Sequence, residues 1–335
     1  MVRLSILDQT PIPEGSSART EIINTVRLAQ IAERLGYHRF WLSEHHLETQ
    51  GHSSPEILIP HIAANTSAIR VGSGGVMLPH YSAYKVAKNF RLLEALYPNR
   101  IDLGVGRAPG GIPLATMALQ EGKANHQDQF ARQIEDLIYY LTGSNGQGHR
   151  FQGLKAMPDI DTIPELFVLG SSGGSAGLAS TYGVSYAYAQ FISGQHGGEV
   201  IENYQQMFQP SLLQQRSHSI VGFFVVCAET DEQAERLASS MDVEFIKVAR
   251  GEKSKGILSP ELAVNYPFTT SDRQLVYENR KRMVVGSPEK IKMTLLQYSE
   301  EYKTDEFILA TMMFDFHTKV KSYQLLSDAF ALRKN

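Results

Sequence analysis

The sequence predicts an α/β protein folded as a (β/α)8 barrel, the TIM-barrel architecture, with insertions after the fourth helix and after the seventh strand. Three observations carry this expectation. Short apolar runs alternate with longer segments of helical periodicity along the chain, the pattern of a parallel sheet with crossover helices. Eight such runs fit within 335 residues, 42% of them hydrophobic, which suits one large core and a single domain over 1–335. The first strand exits into Asp8-Gln9-Thr10-Pro11, not into the Gly-x-Gly-x-x-Gly turn that an open, doubly wound sheet displays there.

The elements follow in order. Arg3 to Leu7 is the first strand. A helix from Thr20 to Leu35 carries Ile23, Val26, Leu28, Ile31 and Leu35 on its apolar stripe, and Gly36 ends it. Phe40 to Ser43 is the second strand, and Ser54-Pro55-Glu56 opens the next helix with proline in its first turn. The third strand covers 70–76 and is followed by a helix from Ser82 to Leu96. The fourth covers 100–107 and is followed by a helix from Gln127 to Leu141. Residues 142–164, with glycines at 143, 146, 148 and 153, read as an irregular connection. Glu165 to Leu169 and Ser185 to Ala189 are the fifth and sixth strands, with helices over 173–182 and 197–208. His218 to Ala228 is the seventh strand, and Thr230 caps a helix that reaches Ala249. Residues 250–281 are polar and too long for a connector, so they are expected to form a mobile insertion or lid. A helix from Ser287 to Tyr302, the eighth strand Glu306 to Ala310 and a helix over 317–332 complete the chain.

Composition excludes several classes. The net charge is −3 and no half is strongly basic, so no nucleic-acid partner is expected. The single cysteine, Cys227, sits in the apolar run after Phe223 and reads as an inert buried thiol. The chain enters a strand at once, with no basic region and apolar stretch of a secretory leader, and no window is apolar enough to span a bilayer. A cytoplasmic protein is expected.

In a barrel, chemistry collects at the C-terminal ends of strands. The second strand stops at Glu44-His45-His46. Side chains alternate along a strand, so one of the two histidines faces the mouth, where it is suited to act as a base or proton relay. Glu44 and His46 share a face, but neither a His-x-His after the first strand nor His-Glu-x-x-His is present, and no metal site is expected. The third strand exits through Gly72-Ser73-Gly74-Gly75, small enough for a flat ligand to approach the backbone. The fourth exits through Gly106-Arg107-Ala108-Pro109-Gly110; Arg107 suits either an anion or a salt bridge to an acid such as Glu44. The fifth exits through Gly170-Ser171-Ser172-Gly173-Gly174 into a helix, a phosphate cradle of exposed amides and hydroxyls. Gly286-Ser287-Pro288-Glu289 is a second, poorer candidate because it carries a carboxylate. These residues fit flavin mononucleotide and, almost as well, a sugar phosphate.

Several motifs in one order resemble the bacterial luciferase-like flavin monooxygenase family. They are Leu7-Asp8-Gln9 with Pro11, Glu44-His45-His46, the run from Val71 to Pro79, the run from Arg100 to Gly110, and Val284-Val285-Gly286-Ser287-Pro288-Glu289. The resemblance covers nearly the whole chain and is closest to single-polypeptide bacterial members. It implies a (β/α)8 barrel that takes reduced FMN (FMNH2) from a separate NAD(P)H:flavin reductase. The flavin meets O2 as a C4a-peroxide and oxygenates a small organic substrate of the aldehyde, alkane, sulfonate or amine class. The same resemblance implies His45 as the catalytic histidine. Arg107 with Ser171, Ser172, Gly173 and Gly174 falls at the phosphate site, and Ser73-Gly74 at a non-prolyl cis peptide beside the flavin ring. Relatives pair through the region of the helices at 54–66 and 82–96, so a homodimer is implied. Glycine at 106, where light-emitting members carry cysteine, argues against light emission. Two readings stay open beside turnover: a flavin-holding protein without catalysis, and a deazaflavin-dependent reductase. An intact His45 and an open slot at Ser73-Gly74 would favour turnover, and a slot filled by Met77 or residues of 250–281 would favour storage.

Overall fold

The computed structural model describes residues 2–122, 129–143 and 148–333. Nine parallel strands are found among them: β1 Arg3–Asp8, β2 Arg39–Leu42, β3 Arg70–Met77, β4 Ile101–Gly106, β5 Glu165–Gly170, β6 Ser185–Ala189, β7 Ser219–Cys227, β8 Met283–Gly286 and β9 Glu306–Ala310. Strands β1 to β7 neighbour one another in sequence order, and β9 sits between β7 and β1, closing an eight-stranded barrel ringed by helices.

β8 is the element that periodicity did not announce. Its four residues pair with Phe224–Cys227, the outer end of β7, whereas β9 pairs with Val221–Phe224. The long β7 thus outruns the barrel and carries a short extra strand, too short to register as an apolar run after Arg280-Lys281-Arg282. The segment 250–281 that precedes it contains two helices, Pro260–Ala263 and Thr270–Arg280, the second opened by a capping box between Thr269 and Asp272. Arg280 meets the Asp242 carboxylate at 2.8 and 2.7 Å, and Ile257 exchanges backbone hydrogen bonds with Ile12 and Glu14. The insertion is therefore stitched to the exit of β1.

The helices close where local chemistry requires. Ala18–Leu35 starts at Ser17, whose hydroxyl accepts from the Thr20 amide, and ends at Gly36 with φ 84°. A Cβ at Gly36 would also lie 2.5 Å from the Leu332 carbonyl oxygen, so the chain end packs where a side chain cannot stand. The buried stripe of this helix is Leu28, Ala29, Ala32 and Leu35, while Ile23 faces solvent. Gln127 and Gly146 lie outside the described residues. The described part of 143–164 has no regular element; Arg91 holds it by donating to the carbonyls of Pro158, Ile160 and Thr162.

The barrel floor is polar. Arg39 donates to Asp102 and Glu165, each at 2.9 Å, and to Glu306 at 2.7 Å. Trp41 Nε1 donates to Asp102, Arg70 pairs with the same carboxylate, and His218 bridges Glu165 and Glu306 at 2.9 and 3.2 Å. Above this floor lies an apolar layer of Leu7, Trp41, Phe167, Ile220 and Ile308. Burial opposes charge throughout the floor. Even so, the His218 hydrogen bond and Arg39 hold Glu165 down at about 2, and the two carboxylates push His218 up to about 9.

His218 therefore stabilises the fold as a cation. Its folded value lies above the ordinary 6.5, so the contribution is complete below that pH and is lost as pH rises through about 9. Unfolding by urea should show a pH-dependent loss on the order of 3 kcal/mol across this window. His218→Phe should flatten that dependence; an unchanged slope would take His218 out of the network.

Candidate active site

β2 ends at three titratable residues because each finds a partner off the strand. Glu44 is fully buried. Its Oε1 accepts from the Tyr81 hydroxyl and faces His46 Nε2, both at 2.8 Å, and its Oε2 accepts from the Met77 amide at 2.8 Å. The His46 amide donates to the Gly110 carbonyl at 2.7 Å. Glu44 and His46 thus tie the exits of β2, β3 and β4 together. His80 joins the group, and ligand-type atoms of Glu44, His46 and His80 lie within 4.8 Å of one another. Glu44 Oε1, His46 Nε2 and His80 Nε2 are engaged within the protein, the last with the Pro109 carbonyl at 2.9 Å.

His45 is the other member of the pair. Its Nδ1 meets Ser43 Oγ at 2.9 Å, and its Nε2 has no partner among the described residues. Burial, with His46 and His52 nearby, pushes its pKa down to about 4, so the imidazole is neutral at physiological pH. The tautomer decides whether Nδ1 donates to or accepts from Ser43, and hence whether Nε2 carries a lone pair or an N–H.

One expectation at β3 needs correction. The non-prolyl cis bond joins Gly74 and Gly75, one residue beyond Ser73-Gly74. Ser73 is closed off, while Gly74 stays partly exposed. The Ser73 hydroxyl is buried and donates to the Gly104 carbonyl at 2.9 Å, and a Cβ at Gly74 would lie 2.9 Å from both Leu7 and Trp41. On the neighbouring strand, buried Gly106 is less tightly packed: a Cβ there would meet only the Met77 thioether, at 3.4 to 3.5 Å.

Arg107 is exposed and has no partner among the described residues. The alternative of an ion pair with Glu44 is overturned, because that carboxylate is already satisfied by Tyr81, His46 and Met77. On the neighbouring strand, Ser172 is the N-cap of the helix Gly173–Tyr182, and its hydroxyl makes no capping bond. Gly173 and Gly174 are exposed, Ser171 is half-buried, and a Cβ at Gly173 would touch nothing within 4 Å. The Tyr186 hydroxyl holds the turn from behind through the Gly170 and Ser172 carbonyls. Helix-start amides, two serine hydroxyls and an unpaired guanidinium together suit a phosphate dianion.

Sequence reasoning passed over Asp8 and Lys319 as site residues. They form a buried pair at 2.6 Å, supported by the Thr25 hydroxyl. Burial opposes charge on Asp8, but Lys319 keeps it ionised. The signal in the sequence was an aspartate at a strand exit, with nothing to show a lysine 311 residues away. His52 was also passed over, with both ring nitrogens buried and unpartnered.

A closed parallel barrel with a histidine and an exposed helix start on its C-terminal rim has the layout of a (β/α)8 enzyme. The chain belongs to the luciferase-like monooxygenase family, which matches residues 2–304, and it is an oxygen-incorporating oxidoreductase. It is 48% identical to the uncharacterized protein YwcH of Bacillus subtilis (strain 168), over 99% of this chain and 100% of the relative. It is 40% identical to the N-acetyl-S-alkylcysteine monooxygenase of the same organism, over the full length of both. The solved structure of apo-MsnO8 is 36% identical, covers 100% of both chains and superposes with a TM-score of 0.92. Two more distant structures share the fold: an FMN complex of the oxygenating constituent of 3,6-diketocamphane monooxygenase from Pseudomonas putida, and an F420-dependent secondary alcohol dehydrogenase. They are 18% and 14% identical, with TM-scores of 0.70 and 0.67.

The glycines differ in what they tolerate. Gly106→Ala should leave thermal stability nearly unchanged. Gly104→Ala, whose Cβ would lie 2.3 Å from the Ser73 carbonyl oxygen, should cost about 1–3 kcal/mol. Equal melting temperatures for the two variants would contradict this packing.

Proposed function

We propose that the protein is an FMNH2-dependent monooxygenase that oxygenates a small organic substrate, with reduced flavin supplied by a separate NAD(P)H:flavin reductase. The observation that carries the reading is Arg107 on the rim of β4, exposed and without a partner among the described residues, on the strand next to β5 and its helix start at Ser172–Gly174. Arg107, the Ser171 and Ser172 hydroxyls and the Gly173 and Gly174 amides would hold the FMN phosphate. Bound reduced FMN supplies the electrons that let one oxygen atom of O2 enter the substrate while the other leaves as water. The exits of β3 and β4 would hold the planar ring, where Gly74 is partly exposed and a Cβ at Gly106 would touch only Met77. His45 Nε2 accepts a proton at the mouth, and Ser43 sets its tautomer.

The 40% identity to a relative named for N-acetyl-S-alkylcysteine makes a thioether the first substrate to assay, ahead of the aldehyde, alkane, sulfonate and amine classes. The insertion 250–281, tied to the β1 exit through Ile257, acts as a lid on this single-domain barrel. Ile57, Leu92 and Leu96 are exposed on the helices Pro55–Ala64 and Ala83–Leu96 and form the face of a homodimer. No described helix is long and apolar enough to cross a membrane, which fits work in the cytoplasm.

Arg107→Ala should weaken FMN binding by about tenfold or more in a fluorescence titration, since a charge-assisted phosphate contact is lost. An unchanged dissociation constant would put the phosphate elsewhere. His45→Ala should leave FMN binding within about twofold and lower turnover by about 10²-fold. Because His45 is held near 4, kcat/KM should show no His45 break between about pH 6 and 8 and should fall only as pH drops toward 4. A histidine-type inflection near 6.5 that disappears in His45→Ala would refute the assignment of a neutral imidazole.

A further inference from the structure

Arg282 is a half-buried cation without an acid. It stands at the end of the insertion 250–281, one residue before β8. Other guanidiniums that are not exposed are satisfied. Arg3, Arg39, Arg70, Arg91 and Arg280 each have a carboxylate oxygen within 3.7 Å. Arg100 is spread over the Ala63, Thr66 and Ile69 carbonyls. Arg282 has no carboxylate beside it among the described residues. Its Nη1 donates to the Ile192 carbonyl at 3.3 Å, and its Nη2 donates to the Asn279 side-chain oxygen. A guanidinium carries five N–H groups, so most of its capacity is unused. Burial opposes the charge, and no nearby acid offsets that cost.

The position of Arg282 gives this vacancy a use. Met283, the next residue, pairs with Phe224, and Phe224 also stands opposite Ala310, the last residue of β9. Arg282 is therefore at the barrel rim. It is joined to the inside of the mouth by a row of aromatic rings. Its guanidinium lies 5.4 Å from the centroid of Phe245, which packs 5.3 Å from Phe224, which packs 5.2 Å from Phe191. A Cβ at Gly222 would meet the Phe191 ring at 2.7 Å and Ile308 at 3.4 Å, so Phe191 lies over the inner face of β7. Phe191, Phe245 and Arg282 all keep accessible surface, so a ligand can reach both the rings and the charge.

We infer that Arg282, at the end of the aromatic row Phe191, Phe224 and Phe245, binds the carboxylate of an organic-acid substrate at the barrel rim. A planar fork of N–H groups matches a carboxylate, and the rings beside it suit the carbon skeleton of the acid. A phosphate dianion fits less well, since the contacts around Arg282 are rings, a carbonyl and an amide oxygen, not hydroxyls and helix-start amides. Calling the acid a substrate rests on the proposed monooxygenase reading; the anion site does not. The site would favour acids over neutral analogues of the same shape, which leave the guanidinium buried and unpaired.

The test needs no turnover. Hexanoate and hexanamide, alike in shape and unlike in charge, are titrated into the full-length protein by calorimetry. Wild type should bind hexanoate at least about tenfold more tightly than hexanamide. Arg282→Gln should abolish that preference, and Arg282→Lys should keep only part of it, because the charge stays and the fork is lost. Arg107→Ala should leave hexanoate affinity within about twofold. Equal affinity for the two probes, no saturable binding of hexanoate, or loss of hexanoate binding in Arg107→Ala would overturn the site. So would a full preference retained in Arg282→Gln or, where that variant does not fold, in Arg282→Lys. FMN titration of the same samples keeps the readings apart. Arg282→Gln should leave FMN affinity unchanged. A protein that binds hexanoate through Arg282 but does not bind FMN would keep the acid site and refute the flavin assignment alone.

Discussion

Arg39 is the constraint on which the barrel depends. One guanidinium holds Asp102, Glu165 and Glu306, and so joins the floors of β2, β4, β5 and β9. His218 adds β7 by bridging two of the same carboxylates. Charges buried this deeply are costly alone and tolerable only as a balanced set. Here three carboxylates face Arg39, Arg70 and a protonated His218. Loss of one member leaves an uncompensated charge, so the strands are held to one register. That register decides which residues stand at the opposite rim.

From this floor upward, the barrel narrows its options. Trp41 stands on Asp102 through its indole N–H and packs edge-on against Phe167, filling the middle layer. Above it, β3 and β4 approach so closely that Gly72, Gly75 and Gly104 admit no side chain; a Cβ at any of them would lie within 2.6 Å of a neighbouring atom. At Gly106 the pair is less tight, since a Cβ there would touch only Met77, a flexible thioether, at 3.4 to 3.5 Å.

Much of this was legible in the sequence, and the exceptions share a cause. Alternation of apolar runs and helical segments located the eight barrel strands because period and burial are local properties. The placement of Arg107 and the turn at Ser171–Gly174 at strand exits was legible for a similar reason, since the same local pattern sets where each strand ends. The floor network was not, because Arg39 and Glu306 are 267 residues apart and nothing near either one announces the other. Asp8 with Lys319 fails in the same way. β8 was missed because it exists only by pairing with the overhanging end of β7.

The pair His45-His46 shows how the two kinds of information combine. Strand alternation requires adjacent side chains to part, but it does not say which one reaches the mouth. Glu44 decides it. Buried without water, its two oxygens need donors, and they find Tyr81, the Met77 amide and His46. That demand draws His46 into the structure and pins the β4 loop through Gly110. His45 is left with one nitrogen on Ser43 and the other unclaimed, in surroundings that keep the ring uncharged. A buried carboxylate thus commits His46 to structure and leaves His45 as a neutral ring whose Nε2 has no partner among the described residues.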